Sequence, residues 1–304
     1  MAFTAQDVKA LREKTGCGMM DCKKALTQAN GDMDAAIDFL REQGLAKQAK
    51  KASRIAAEGM AYATTNDTND LGVVIEVNAE TDFVAKNDEF QAFVKTCAAT
   101  VMEKNPADVE ALLAETAVGS DKTIGELLQE KVLVIGENIK VRRFQRVEGP
   151  CVAYVHAGGK IGVIVTFETD LASKPEFVAY GKDLAMQIAA LNTAYLCKED
   201  VPAEVLEHEK KIMTEQVINE GKPANIAEKI VMGKIGKYYK ENCLLDQEFV
   251  KDNKQNIQQY TNATAKALGG SIKVTGFIRY EKGDGIEKRQ DDLAAEVEKL
   301  VNNK

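Results

Sequence analysis

GVVIEV at 72–77, followed by ETDFVAKNDEF at 80–90, carries the reading of the fold. Leu71, Val73, Ile75 and Val77 alternate as a strand does when one face meets a core; the run stops at the acidic residues and a helical pattern takes over. The same text returns as GVIVTF at 162–167 and ETDLASKPEF at 168–177, one residue shorter, with Leu171 where the first copy has Phe83. The helical stretch repeats too, FQAFVKTCAA from Phe90 becoming FVAYGKDLAMQIAA from Phe177. A repeat sets the domain count before any single element is placed.

The flanks agree. MAYATTNDTND before the first run and VAYVHAGGK before the second are apolar alternations ending in turn residues, so each pair reads as a hairpin. IKVRRFQRVEG at 139–149 and IKVTGFIRYEKG at 272–283 close each copy with a strand. The order strand, strand, helix, insertion, strand occurs twice. The predicted class is α+β, with a duplicated core of antiparallel sheets: residues 55–149 form one subdomain, 150–199 with 241–285 the other, and 200–240 interrupt the second. The interruption holds two charged helical patterns broken at Gly221-Lys222-Pro223. Val205, His208, Ile212 and Val217 on one side are expected to meet Ile226, Ile230 and Ile235 on the other, as an antiparallel helical hairpin.

Residues 1–54 read as a three-helix module and linker. Thr4 with Asp7 makes a capping box and Phe3 with Val8 a hydrophobic staple, so a helix begins at Ala5 and stops at Thr15-Gly16-Cys17-Gly18. A second starts near Met19, with Cys22, Ala25, Leu26 and Ala29 as its apolar face. Asn30-Gly31 ends it, Asp32 caps a third, and Ala36, Ile37 and Leu40 form that helix's buried stripe. LAKQAKKASRIAAEG then reads as a helical or flexible linker, and 286–304 as a C-terminal helix.

A chain of 304 residues, 45% apolar and 29% charged, is long enough for two or three packed units and unlike a disordered chain. No window offers 18 consecutive apolar residues and MAFTAQDVKALREK has no apolar signal region, which predicts a soluble cytoplasmic chain without a membrane partner. Six scattered cysteines fit free thiols in a reducing compartment. Of the net charge of −7, residues 1–54 carry +3, from ten Lys and Arg against seven Asp and Glu, leaving −10 for the rest. An acidic chain is a poor general binder of nucleic acid, since phosphate neutralisation supplies most non-specific affinity, and no direct nucleic-acid partner is expected.

Chemical motifs are sparse. There is no GxxxxGK[ST], and the glycine pairs at Gly158-Gly159 and Gly269-Gly270 precede strands rather than helices. Two histidines and no CxxC argue against a zinc site, so neither metal nor cofactor is expected. An enzyme with its site between the halves would draw on Asp82, Asp170 and His156, yet no nucleophile accompanies them. An apolar side chain beside a carboxylate at a strand-to-helix turn, as in TDFVAKN, suits intrusion into a partner; the plainer alternative is a capping Asp82 and a buried Phe83.

TGCGMMDCKKAL at 15–26, NGDMDAAIDFLREQG at 30–44, TDFVAKN, IGENIKVRR at 135–143, GKIGVIV at 159–165 and GFIRYEKGDGIEK at 276–288 together resemble the bacterial translation elongation factor Ts family. The resemblance runs from Phe3 to about Leu300. It implies a non-catalytic guanine-nucleotide exchange factor for elongation factor Tu, with a ubiquitin-associated-like N-terminal module, a duplicated core and a helical hairpin. It also implies that Thr81, Asp82, Phe83 and Val84 enter the GTPase near its Mg²⁺ and phosphate loop, with weaker contacts from Met19, Met20, Lys23, Ile135, Gly136, His156, Val231 and Met232. The chain departs from better-known members in the polar stretch 103–127 and in Ala157-Gly158-Gly159 after His156. An adaptor role for the N-terminal module, and a homodimer through the hairpin or the core, stay open.

Overall fold

The structure, a computed structural model, describes residues 3–221 and 223–287, so the expected C-terminal helix falls, from 288 onward, outside the described residues. Three helices come first: α1 (Ala5–Thr15), α2 (Met19–Gln28) and α3 (Met33–Lys51). The first half of the core follows as β1 (Glu58–Thr65), β2 (Leu71–Ala79), the single turn α4 (Asp82–Ala85), α5 (Asp88–Lys104), α6 (Val109–Ala114), α7 (Ile124–Ile135) and β3 (Lys140–Glu148). The second half runs β4 (Cys151–His156), β5 (Ile161–Thr169), α8 (Pro175–Leu191), the hairpin α9 (Ala203–Asn219) and α10 (Ala224–Asn242), the ribbon β6 (Glu248–Phe249) and β7 (Asp252–Asn256), α11 (Ile257–Leu268) and β8 (Ile272–Glu281). The class is α+β with antiparallel sheets ordered β1-β2-β3 and β4-β5-β8.

The duplication extends to details. Each ladder carries a bulge at the same place in the repeat, between Glu76 and Val77 in one sheet and between Thr166 and Phe167 in the other. The last strand of each half is preceded by a helix with a capping box, Thr123 with Glu126 and Asn256 with Gln259, ending on a left-handed glycine, Gly136 or Gly269. That helix pair, α7 and α11, was hidden inside what the sequence presents as unrelated insertions.

Central strands β2 and β5 are covered on both faces, which explains why their text is nearly continuous in apolar residues. Val73, Ile75 and Val77 face α5, packing with Phe90, Val94 and Cys97; Val163, Val165 and Phe167 face α8, packing with Phe177, Tyr180 and Leu184. Val74 and Ile164 point the other way and meet in a small cluster with Ala63 and Cys151, where the two sheets stack. Glycine at the equivalent positions 72 and 162 permits this approach: a Cβ on Gly162 would lie 3.2 Å from the carbonyl carbon of Ala61, and one on Gly72 2.9 Å from Cys151 Sγ. Each Val, Leu, Ile or Phe buried in this way contributes about 1.5–3 kcal/mol.

A polar knot also ties the halves. Glu76, fully buried, accepts from Arg142 Nη1 (3.0 Å), Arg143 Nε (2.6 Å), Asn78 Nδ2 (3.0 Å) and the backbone N–H of Gly283 (2.8 Å). Burial pushes its carboxyl upward, but these donors outweigh burial and hold it below the ordinary carboxylate value. Arg143 stacks on Tyr280 of the other half, 4.2 Å from the ring centre.

The N-terminal module packs around Leu11, Cys22, Ala25, Leu26 and Ala36, and its core is completed by Leu133 of α7. Asp32 caps α3 as expected, accepting from Ala35 N–H at 2.8 Å. Much of the predicted linker is the end of α3, which lies along α7: a Cβ on Gly44 would be 3.4 Å from the Gln129 carbonyl oxygen. A module of this size has little core of its own, and it recruits α7 to enlarge it.

In the hairpin Val217, Ile230 and Ile235 lie in the seam as expected, but the rest of the buried stripe differs. Leu206, Met213 and Val217 meet Ala227, Ile230, Val231, Ile235 and Tyr239, while His208, Ile212 and Ile226 are exposed. Each helix carries two neighbouring apolar stripes, and the stripe containing the small Ala227 is the one that closes against the partner helix. Among the described residues no helix is long and apolar enough to cross a membrane, and all six cysteines are free.

Candidate functional site

The end of β2 delivers the chain into α4, and the turn between them is held from outside. Glu137, immediately after the glycine that ends α7, accepts from the backbone N–H groups of Glu80 and Thr81 (both 3.0 Å) through one oxygen and from the Thr81 hydroxyl (2.7 Å) through the other. The Thr81 oxygen in turn caps α4 by accepting from Val84 N–H at 3.4 Å. Glu80 accepts from the Asn138 N–H (2.6 Å), and Asn138 donates its side-chain amide to the Arg54 carbonyl (2.8 Å). Below the turn, Val84 and Ala85 are buried; beyond it, Asn87 caps α5 through the N–H groups of Glu89 and Phe90.

What this scaffold displays is Phe83, 78% exposed, beside a half-exposed Asp82. The alternative of a capping Asp82 over a core Phe83 does not hold: Thr81 is the cap, and most of the ring is open to solvent. Lys86 donates to Asp82 Oδ2 (2.7 Å) and stands 5.9 Å from the Phe83 ring centre. This hydrogen bond, foremost, holds the Asp82 carboxyl below its ordinary value. A large apolar side chain kept in water on a clamped turn is costly by the same hydrophobic term that builds the core, so the protein gains nothing internally from it.

The residues named from sequence fall into two sets. Ile135 ends α7 and is half-buried; Gly136 is exposed at its left-handed cap (φ 85°), and Lys51 of α3 donates to its carbonyl. Both therefore adjoin Glu137 and the Asp82 turn. His156 closes β4, half-buried, with Nδ1 3.1 Å from the Tyr154 hydroxyl, and the next residue, Ala157, takes a left-handed φ of 48°. Its turn lies at the same end of the stacked sheets as the Asp82 turn: Ala61 N–H donates to Gly159 O (2.8 Å), and Glu58, which faces Ala79 across the ladder, pairs with Lys282. Met19 (45%), Met20 (75%) and Lys23 are exposed at the start of α2. Met232 is exposed on the hairpin, but Val231 is buried in the hairpin seam, where a β-branched residue serves packing rather than contact.

The trio that an enzyme would have used is not assembled. His156 is paired with Ile161 at the start of β5 and Asp170 follows its end, so nine extended residues, about 30 Å, separate them. Nor is the Asp82 turn a cleft. A groove of about 550 Å³ lies between module and α7, lined by Ile37, Leu40 and Leu133, and another of about 630 Å³ runs along the hairpin. Glu137 was absent from the sequence-derived set, although it stands inside the IGEN text that placed Ile135 and Gly136 there. Its signal lay in the repeat: the equivalent residue of the second half is Gly270.

Fold and site define a duplicated α+β protein whose candidate site is a displayed turn, with a three-helix module braced against the same helix that holds the turn in place. The sequence profile of the family described as Elongation factor TS matches residues 80–284. The chain is 48% identical over 304 residues to elongation factor Ts of Trichlorobacter lovleyi, covering 98% of each chain. It is 49% identical over 301 residues to elongation factor Ts of Clostridioides difficile, covering 98% of this chain and 99% of that one. The chain belongs to the elongation factor Ts family, the nucleotide-exchange factors of translation elongation.

Proposed function

We propose that this protein releases GDP from elongation factor Tu by pressing the Asp82–Phe83 turn against the GTPase near its Mg²⁺ and phosphate loop. The observation that carries the reading is Phe83, exposed on a turn fixed by Glu137, in a chain of the elongation factor Ts family. An exchange factor shifts a nucleotide equilibrium only through a difference in affinity between the nucleotide-free and nucleotide-bound GTPase. The coupling is reciprocal, so incoming nucleotide expels the factor. In a P-loop GTPase the Mg²⁺ and the phosphate-cradling backbone hold the nucleotide, and these are what an intruding side chain must disturb. Burying the Phe83 ring on the partner supplies about 1.5–3 kcal/mol, roughly tenfold or more in the population shift. The remainder comes from other surfaces, for which Met19, Met20 and Lys23 on the module, Ile135 and Gly136 beside the turn, His156 at the same end of the sheets, and Met232 on the hairpin are the candidates.

Stopped-flow release of a fluorescent GDP from the cognate elongation factor Tu tests this. The protein at micromolar concentration is expected to accelerate release, and Phe83→Ala to remove most of the acceleration while the circular-dichroism spectrum and unfolding midpoint stay those of the parent. Equal acceleration by parent and Phe83→Ala refutes the wedge; no acceleration by the parent refutes the exchange reading as a whole.

A further inference from the structure

The two halves of the core differ at the residue that faces the turn after the central strand. Val141 pairs with Val77 in the first sheet and Val274 with Phe167 in the second, and these are equivalent positions of the repeat. Four residues before each valine stand Glu137 and Gly270. In the first half the Glu137 carboxylate takes three hydrogen bonds from the Glu80–Thr81 backbone and the Thr81 hydroxyl, and the chain beyond winds into α4 with Phe83 outside. In the second half there is no side chain at 270. A Cβ there would stand 2.6 Å from Leu171 Cδ2; Leu171, which in the sheet register stands where Thr81 does in the first half, occupies the space and is 3% exposed.

We infer that Glu137 is a positioning residue for nucleotide release: its carboxylate fixes the turn so that Phe83 is presented rather than folded inward. The inference rests on the role proposed for Asp82 and Phe83. A carboxylate suits the task because two oxygens accept three donors at once, and charge-assisted hydrogen bonds of this kind are about twice as strong as neutral ones. Glu137 also sits where three elements meet: it follows the cap of α7, whose Gly136 carbonyl accepts from Lys51 of α3. It therefore couples the seat of the N-terminal module to the turn.

The test is a double-mutant cycle on GDP release from elongation factor Tu, using full-length protein and the variants Phe83→Ala, Glu137→Ala, Glu137→Gln and Phe83→Ala/Glu137→Ala. Glu137→Ala is expected to slow stimulated release about tenfold to a hundredfold, since a group misplaced by about 1 Å forfeits that much. In the Phe83→Ala background the same substitution is expected to change nothing further, because a residue acting through the ring has no ring to act through. Glu137→Gln, which keeps the shape and forfeits about one acceptor, is expected to slow release about fivefold and carries the cycle if Glu137→Ala does not fold. Rates for the Glu137 variants equal to the parent, or effects that multiply in the double variant, overturn the inference while leaving the wedge in place. Parent-like release by Phe83→Ala overturns the wedge first and the inference with it.

Discussion

Phe83 and Leu171 follow the same strand of the same repeat, each directly after an aspartate, and they end in opposite environments, 78% and 3% exposed. The second turn shows what this supersecondary unit does when only stability matters. Asp170 accepts from the Ser271 N–H (2.8 Å) and hydroxyl (3.1 Å), Thr169 donates to the Ser271 carbonyl (2.7 Å), and Leu171 drops into the core beside Phe167 and Phe177. In the first turn the aspartate bonds outward, to Lys86 of its own turn; the bond equivalent to that between Ser271 and Asp170 runs from the Asn138 N–H to Glu80 (2.6 Å), and Glu137 adds three more. One backbone anchor is thus common to both halves, and what differs is the residue before it, a clamping carboxylate at 137 and a glycine at 270 whose space Leu171 fills. A displayed Phe contributes nothing to the fold, which is the physical reason to assign it to a partner.

The largest effect that separates the turns is on stability. Leu171→Ala removes a buried side chain and is expected to lower the unfolding free energy by about 2–5 kcal/mol, whereas Phe83→Ala, on the surface, is expected to stay within about 0.5 kcal/mol. Chemical denaturation of both variants measures this directly. Equal losses would mean that Phe83 packs in solution and that the contrast between the turns is false.

Next in size is the glycine opposite Leu171. Gly270→Ala forces a methyl to within 2.6 Å of Leu171 Cδ2 and 2.7 Å of Asp170 Oδ1. Overpacking of this kind costs about 1–3 kcal/mol, and combining it with Leu171→Ala should restore part of the loss because the methyl then has room. Independent, additive losses would show that position 270 does not hold the leucine's space.

Much of this was open to the sequence and some was closed to it, for definite reasons. The strands and the helices after the two acidic turns were visible because alternation and 3.6-residue periodicity reflect which side chain faces a core, and the repeat doubled each signal. The display of Phe83 was suggested by its place beside a carboxylate at a strand-to-helix turn, with a buried Phe83 as the plainer alternative. Glu137 escaped because a clamp made across 56 residues of chain leaves no local pattern. The hairpin seam was displaced, with His208 and Ile212 outside, because adjacent apolar stripes on a helix are equivalent until a partner helix selects one. The equivalence of α7 and α11 was masked by unlike sequences, aliphatic text in one and polar text in the other, that share only their caps.

The smallest contrast is electrostatic, and it distinguishes the anchors themselves. Both aspartates are held below the ordinary carboxylate value: Asp82 foremost by the Lys86 hydrogen bond, Asp170 foremost by the Ser271 backbone N–H. A depressed value means that each contribution to stability is complete above the unfolded-state pKa, near 3.8, and is lost as pH falls through the lower folded value. The two should nevertheless respond differently to salt and to substitution. Lys86 is an exposed ammonium, so raising the salt to 1 M, where the screening length is about 3 Å, or making Lys86→Met, is expected to move Asp82 back upward. Asp170, bonded to a backbone N–H whose position is set by the start of β8, should barely move under either change. Carboxyl carbon shifts followed by NMR from pH 7 to pH 2 resolve the two residues. If Asp170 rose with salt as much as Asp82, its turn would be held by charge rather than by the backbone, and the two copies would differ in side-chain identity alone and not in how they are anchored.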